Sequence, residues 1–68
     1  MIQYITLDNG RIKIPYKYED GVICVYVRSL INAYPSNVDV NPIIRRLPDM
    51  FKEFVEYKDI VIDKETDI

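Results

Sequence analysis

The dipeptide Asn9–Gly10 constrains the fold more than any other feature of the chain, because it joins two segments in which apolar and polar residues alternate. A type I′ turn needs positive φ at both central residues, which asparagine and glycine tolerate better than other residues do. We therefore predict a β-hairpin with strands at residues 2–7 and 11–16.

The position of this turn also sets the register of the hairpin. With the dipeptide at the tip, Leu7 pairs with Ile12. Two residues further from the turn, Ile5 pairs with Ile14. These four side chains share one apolar face with Tyr16, so the hairpin can cover a small core. The opposite face carries three basic residues, Arg11, Lys13 and Lys17.

The segment VICVYV, at residues 22–27, follows a second turn signal and is apolar on both faces of a strand. We predict a buried strand at 22–27 that is continued by a short helix at 28–34, since valine-rich segments resist helix formation. Apolar residues at helical spacing also fit a single helix over 22–34, which remains the alternative.

Asn41 and Pro42 mark the start of a second helical segment, because asparagine is a good N-cap and proline suits the first helical turn. Apolar residues recur at helical spacing through residues 42–58, where we predict helical structure. Pro48 cannot donate a backbone hydrogen bond, so we expect a break there and a fresh helix from Pro48 onward.

The complete pattern predicts a single small α+β domain at residues 1–63, followed by an acidic tail at 64–68. The pentapeptide DIVID predicts a last strand at 59–63. It joins the hairpin and the strand at 22–27 in a small antiparallel sheet, and we expect both helical segments to pack on one face of that sheet.

A chain of 68 residues has little material with which to build a core. Domains of this size bury only about 60% of the surface that the unfolded chain exposes. Cys24 is the only cysteine and lies in an apolar strand, where we expect a buried thiol, so an internal disulfide is excluded. Oligomerisation is the remaining stabilising device, and we predict a homodimer or a complex with another protein.

The chain contains few residues that could act in catalysis. There is no histidine, which removes Ser-His-Asp and Cys-His arrangements from consideration. Both glycines are isolated in turns, so neither belongs to a phosphate-binding loop. The acidic pairs are typical of solvated surface charge. We therefore expect a protein without enzymatic activity, cofactor or bound metal ion.

Six tyrosines give this short chain many side chains with an apolar body and a polar tip, the combination favoured at protein interfaces. Our leading hypothesis is a small non-enzymatic binding protein that acts through protein–protein contacts. A regulator or inhibitor encoded by a virus or another mobile element fits the AT-rich coding that its composition suggests. The predicted contact residues are Tyr16, Tyr18, Tyr34, Arg45 and Arg46.

Two other functions remain open at this stage. A dimeric DNA-binding transcriptional regulator would use the basic face of the hairpin, with Arg11, Lys13 and Lys17 as its contact residues. A structural subunit of a larger particle is the other alternative. The chain has no apolar run long enough to span a bilayer, so we expect no membrane contact and a cytoplasmic protein, in the host cytoplasm if it is viral.

Overall fold

A computed structural model describes residues 1–68 as a four-stranded sheet with two helices. The helices, α1 (Arg28–Asn32) and α2 (Asn41–Lys52), both follow the third strand in the chain. Their apolar residues pack against one face of the sheet, which confirms the predicted α+β class. The strands, in chain order and in spatial order, are β1 (Gln3–Leu7), β2 (Ile12–Glu19), β3 (Val22–Tyr26) and β4 (Asp59–Asp63).

The β1–β2 hairpin has the predicted register, with both predicted apolar pairs formed. The N–H of Arg11 donates to the carbonyl oxygen of Asp8 at 3.1 Å, which closes the turn. Asn9 and Gly10 have φ values of 56° and 85°, as a type I′ turn requires. Asp8 also has a positive φ, and its carboxylate lies 3.3 Å from the guanidinium of Arg11.

β2 is longer than predicted, because its second half pairs with β3. The prediction ended this strand at Tyr16, whereas β2 continues to Glu19. The antiparallel β2–β3 ladder runs from the Glu19–Val22 pair to the Tyr16–Val25 pair. Pro15 lies outside that ladder and pairs only with β1. It therefore occupies a part of β2 with one strand neighbour, where a missing N–H is tolerated.

β4 spans the predicted residues 59–63 but lies beside β3 and runs parallel to it, so the sheet is mixed instead of wholly antiparallel. A parallel pair needs a long crossover connection, and residues 27–58 supply it with both helices. The N–H of Val27 extends the pairing by donating to the carbonyl oxygen of Asp63 at 2.9 Å. The single-helix alternative for residues 22–34 is wrong, because β3 occupies its first half.

α2 is one helix that runs through Pro48, so the predicted break is wrong. Leu47 and Phe51 on either side of Pro48 are fully buried. Burial of this apolar stripe therefore outweighs the one hydrogen bond that proline cannot donate. The helix begins at Asn41, one residue earlier than predicted, so Asn41 is inside the helix and Val40 is the cap.

The ends of both helices also differ from the prediction. α1 ends at Asn32 instead of residue 34, and α2 ends at Lys52 instead of residue 58. After α2 the chain must reverse to enter β4. The hydroxyl of Tyr57 donates a hydrogen bond to the carbonyl oxygen of Pro48 at 2.9 Å. The N–H of Lys58 donates one to the carbonyl oxygen of Gly21 at 2.6 Å. These contacts hold the reversing segment against the sheet.

The core lies between the helices and one face of the sheet. The ring of Phe51 meets the ring of Tyr16 edge to face, with centroids 4.9 Å apart. Neither helix has the length and hydrophobicity of a membrane-spanning segment. The buried apolar side chains that form the core cluster are Ile12, Ile14, Tyr16, Ile23, Val25, Val27, Leu30, Ile44, Leu47 and Phe51.

Candidate functional site

The face of the sheet opposite the helices, which we call the open face, is the candidate functional site. Side chains alternate between the two faces along each strand, so the open face carries every residue that alternates with the core residues. It comprises Tyr4 and Thr6 on β1, Lys13, Pro15, Lys17 and Glu19 on β2, Val22, Cys24 and Tyr26 on β3, and Asp59, Val61 and Asp63 on β4.

The centre of the open face is apolar and partly aromatic. Tyr4 pairs with Pro15 across the hairpin, and the β2–β3 register continues to place Pro15 across from Tyr26. Pro15 is buried and Tyr26 is only 8% exposed, although no helix packs on this side. In the next row, Cys24 lies beside Val61. Neighbouring side chains on the sheet therefore form a continuous apolar surface.

Several apolar side chains on this surface remain accessible to solvent. Tyr4 is 58% exposed, Val61 is 47% exposed and Val22 lies at the rim with 36% exposed. An antiparallel sheet with one solvated face normally places polar residues on that face. β3 does not follow this rule, because valine, cysteine and tyrosine occupy its solvated side.

The charges of the open face are separated by strand. Lys13 and Lys17 are exposed on β2, whereas Asp59 and Asp63 lie on β4. β3, between them, contributes no charged side chain to this face. Glu19 lies at the far end of β2, next to the turn into β3. The surface is thus basic on one side and acidic on the other, with an apolar strip between.

The carboxylate of Asp63 is held by the segment that follows it. It accepts hydrogen bonds from the N–H groups of Glu65 and Thr66, each at 2.9 Å, and from the hydroxyl of Thr66 at 2.7 Å. These hydrogen bonds favour the charged form and lower the pKa of Asp63. Asp63 is therefore a fixed negative charge at neutral pH.

Tyr26 is the most enclosed polar side chain on the open face. Burial raises the pKa of Tyr26, the neighbouring Cys24 adds to the rise, and the ammonium of Lys17 opposes it. Tyr26 therefore keeps its proton at neutral pH and presents a hydroxyl that can donate a hydrogen bond.

None of the five predicted protein-contact residues lies on the open face. Tyr16 is 7% exposed and belongs to the core, so its ring is not available to a partner. Tyr34 is half-buried and packs against the same core. Arg45 and Arg46 are exposed on α2, which packs on the side of the sheet opposite the open face.

Tyr18, the fifth predicted residue, lies on the helix side of the sheet beyond the end of α2. Its hydroxyl donates to the carbonyl oxygen of Glu56. With Lys52 and Lys58 it lines a shallow cavity of about 550 Å³. The hydroxyl is occupied by this internal contact, which explains the position of Tyr18 without a ligand.

Two of the three residues predicted for nucleic acid lie on the open face. Lys13 and Lys17 share it and are exposed. Arg11 lies in the turn before β2, with its side chain 80% exposed and paired with Asp8. The prediction that these residues lie on the face opposite the apolar hairpin residues is confirmed for both lysines.

Sequence reasoning missed the apolar surface of the open face, which is formed by Tyr4, Pro15, Val22, Cys24, Tyr26 and Val61. The signal was present in VICVYV, where both alternating sets of residues are apolar. We interpreted this segment as a strand buried on both faces. Cys24, expected to be buried, is half-buried on the open face.

The side chains of the chain form no cluster of three or more metal-ligating residues. Comparison of the chain with protein-family models, with curated proteins and with solved structures finds no match.

Proposed function

We propose that this is a small non-enzymatic binding protein that uses the open face to contact another protein, as a regulator or inhibitor in the cytoplasm. The observation that carries the proposal is that β3 is apolar on both faces while the helices cover only one. A strand of this composition is typical of a sheet covered on both sides. A partner protein would supply the second cover.

The size of the exposed surface supports this proposal. The folded chain exposes 4931 Å². A compact monomer of this mass exposes about 4,500 Å². The excess of about a tenth is the direction expected for a domain with one uncovered sheet face. Contiguous exposed apolar surface on a small protein commonly marks an interaction site.

The energetic gain from such a cover is concentrated in few side chains. Fully burying an exposed valine contributes about 1.5–3 kcal/mol, so Val61 and Val22, which are already more than half covered, can each contribute about half of that or less. Val61 and Val22 are the aliphatic side chains that a partner would bury, and Tyr4 adds an aromatic one at the edge strand. Interfaces usually depend on a few such residues.

Affinity capture from the source cell's lysate tests the proposal when a paired substitution is included. Val61→Lys places a charge within the apolar surface of the open face, on the edge strand β4. Val38→Lys makes the same change in a loop at a residue of similar exposure, 42% against 47%. We expect wild type and Val38→Lys to retain the same protein partner, and Val61→Lys to lose it. Equal retention by all three proteins would contradict the proposal.

A nuclease-treated arm of the same capture tests the second candidate function, a dimeric DNA-binding regulator. The observation in its favour is that Lys13 and Lys17 are exposed on one face with Arg11 at its end. Asp59 and Asp63 on the same face would repel phosphate, which makes this the weaker candidate. Capture lost on nuclease treatment, with a duplex shift that weakens steeply as salt rises, would favour it.

A further inference from the structure

We infer that the partner of the open face is a second copy of this chain, packed face to face about a two-fold axis that is parallel to the strands and centred over β3. The inference rests on the proposed function, because it names the protein that the open face contacts. Two features carry it, the separation of charge across the face and the apolar centre, and the area available sets the expected affinity.

The charges of the open face become complementary when it meets its own copy in this orientation. β2 and β4 flank β3, so rotation about an axis over β3 places β2 of each copy over β4 of the other. Lys17 and Val61 both pair with Cys24, so they lie at the same height along the strands. The rotation therefore places Lys17 opposite the second copy's Val61. Asp59 and Asp63 lie about 7 Å along the strand on either side of that valine, within reach of a lysine side chain.

The other two-fold arrangement of the same faces is unfavourable. An axis perpendicular to the strands places β2 over β2 and β4 over β4. Lys13 and Lys17 would then face the same lysines of the second copy, and Asp59 and Asp63 would face the same aspartates. Like charges juxtaposed across an interface disfavour association. The charge pattern therefore selects the axis parallel to the strands.

The apolar centre fits this packing. Two sheets that pack face to face lie about 10 Å apart, with the side chains of both inner faces filling the space. Cys24 and Tyr26 lie on the axis, so each faces its equivalent in the second copy. Val61 of each copy meets β2 of the other, where it covers the aliphatic stem of Lys17.

The area of the open face sets the expected affinity. With the axis over β3, three strands of each copy overlap and β1 extends beyond the second copy's β4. Three strands at about 4.8 Å spacing and five residues at about 3.4 Å rise give a footprint of about 240 Å² for each copy. Stable interfaces bury about 1,200 Å² or more in total, so this dimer belongs with weak, reversible complexes. Its formation is expected at micromolar concentrations and above.

One like-charge contact opposes the arrangement and offers a test. Glu19 shares a row with Asp59, because both pair with Val22, so it arrives over the second copy's Asp59. This contact lies at the rim of the face, beyond the row that contains Lys17. We expect Glu19→Gln to tighten the dimer several-fold, because it removes the repulsion without altering the apolar centre.

Sedimentation equilibrium over a concentration series up to about 500 µM tests the inference, because weak interfaces associate in this range. We expect wild type and Val38→Lys to form a dimer, and Val61→Lys to stay monomeric with an unchanged circular dichroism spectrum. A wild-type monomer throughout the series would overturn the inference. If Val61→Lys then still lost a captured lysate protein, the proposed function would stand with a different partner.

Charge reversal tests the axis. Lys17→Glu removes the attraction to the second copy's aspartates and should raise the dissociation constant about tenfold, since each two-fold contact occurs twice. In the perpendicular arrangement the same change replaces a contact between two lysines with a contact between two glutamates, so the repulsion remains and the dissociation constant should hardly change. Lys52→Glu on α2 alters the net charge equally without touching the open face and is the matched control. Unchanged or tighter binding by Lys17→Glu, relative to Lys52→Glu, would overturn the arrangement.

Cross-linking through the native Cys24 tests whether the open faces of two copies meet. It uses the wild-type protein, so it does not depend on how the substitutions affect folding. A short bismaleimide should join two Cys24 thiols, because sheets packed face to face lie about 10 Å apart and both thiols point into the space between them. A variant that combines Cys24→Ser with Arg46→Cys moves the thiol to the exposed side of α2 and should give no covalent dimer above the collisional background. Equal cross-linking of both proteins would overturn the face-to-face dimer.

Discussion

Phe51 is the residue whose replacement tests the two-layer arrangement most directly. Its ring is fully buried between α2 and the sheet, 4.9 Å from the ring of Tyr16 and 5.4 Å from that of Phe54. Replacing a buried phenylalanine with alanine costs about 3–5 kcal/mol. A domain of this length has a free energy of unfolding of only about 3–10 kcal/mol. Phe51→Ala is therefore expected to remove between about a third and all of the stability of the fold.

A milder pair of substitutions makes the loss measurable. Phe51→Leu keeps an apolar side chain in the core and should lower the free energy of unfolding by about 1–2 kcal/mol. Phe54→Leu makes the identical change at a residue that is 53% exposed, three positions further along the chain. We expect Phe54→Leu to change stability by less than about 0.5 kcal/mol.

Urea denaturation followed by far-ultraviolet circular dichroism measures both effects. The dependence on urea is about 1 kcal/mol per molar for a protein of this size, so Phe51→Leu should lower the midpoint by about 1–2 M. Equal shifts for the two variants would mean that α2 does not direct Phe51 into the core. The assignment of the opposite sheet face as uncovered would then lose its basis, because it depends on which face α2 covers.

Three further perturbations test individual contacts. Pro48→Ala supplies the N–H that α2 lacks and should raise the free energy of unfolding by about 1 kcal/mol in the same urea assay, whereas a loss would show that the proline ring is needed for packing. Tyr57→Phe removes the 2.9 Å hydrogen bond to the carbonyl oxygen of Pro48 and should cost about 0.5–1.5 kcal/mol, while Tyr4→Phe, at an exposed residue, should cost almost nothing. The hydrogen bonds to Asp63 lower its pKa in the folded protein. The stability they give is present above about pH 4, the pKa of an aspartate in the unfolded chain, and is lost as the pH falls through the lower pKa of folded Asp63. In a nuclear magnetic resonance titration the amide proton of Thr66 should follow this low pKa, and a midpoint at or above the ordinary aspartate value would contradict the assignment.

The hairpin could be predicted from sequence because its determinants are local. Asn9 and Gly10 accept the positive φ values that a type I′ turn requires, and the flanking alternation leaves only one register that places all the apolar residues together. β3 was also predictable, since its β-branched residues disfavour a helix. In each case the information lies within a few residues of the element.

The course of α2 through Pro48 was not predictable in this way. Proline carries a large local penalty in a helix, and that penalty alone predicts a break. The contacts that outweigh it come from Leu47 and Phe51, which are buried against strands far away in the sequence. Local rules assign the penalty to the proline and cannot assign the compensating burial.

The open face depends on the one topological choice that the sequence leaves open, the position of β4. DIVID predicts a strand equally well at either edge of the sheet, because its central residues are apolar and both its ends are aspartates. Beside β1 it would place the aspartates next to Tyr4 and Thr6, leaving Cys24 and Tyr26 at an edge strand. Beside β3 it places Val61 next to Cys24, which completes the apolar strip, and separates the aspartates from the lysines of β2 by one uncharged strand. The same pairing therefore creates both the uncovered apolar surface and the charge separation that makes this surface complementary to itself.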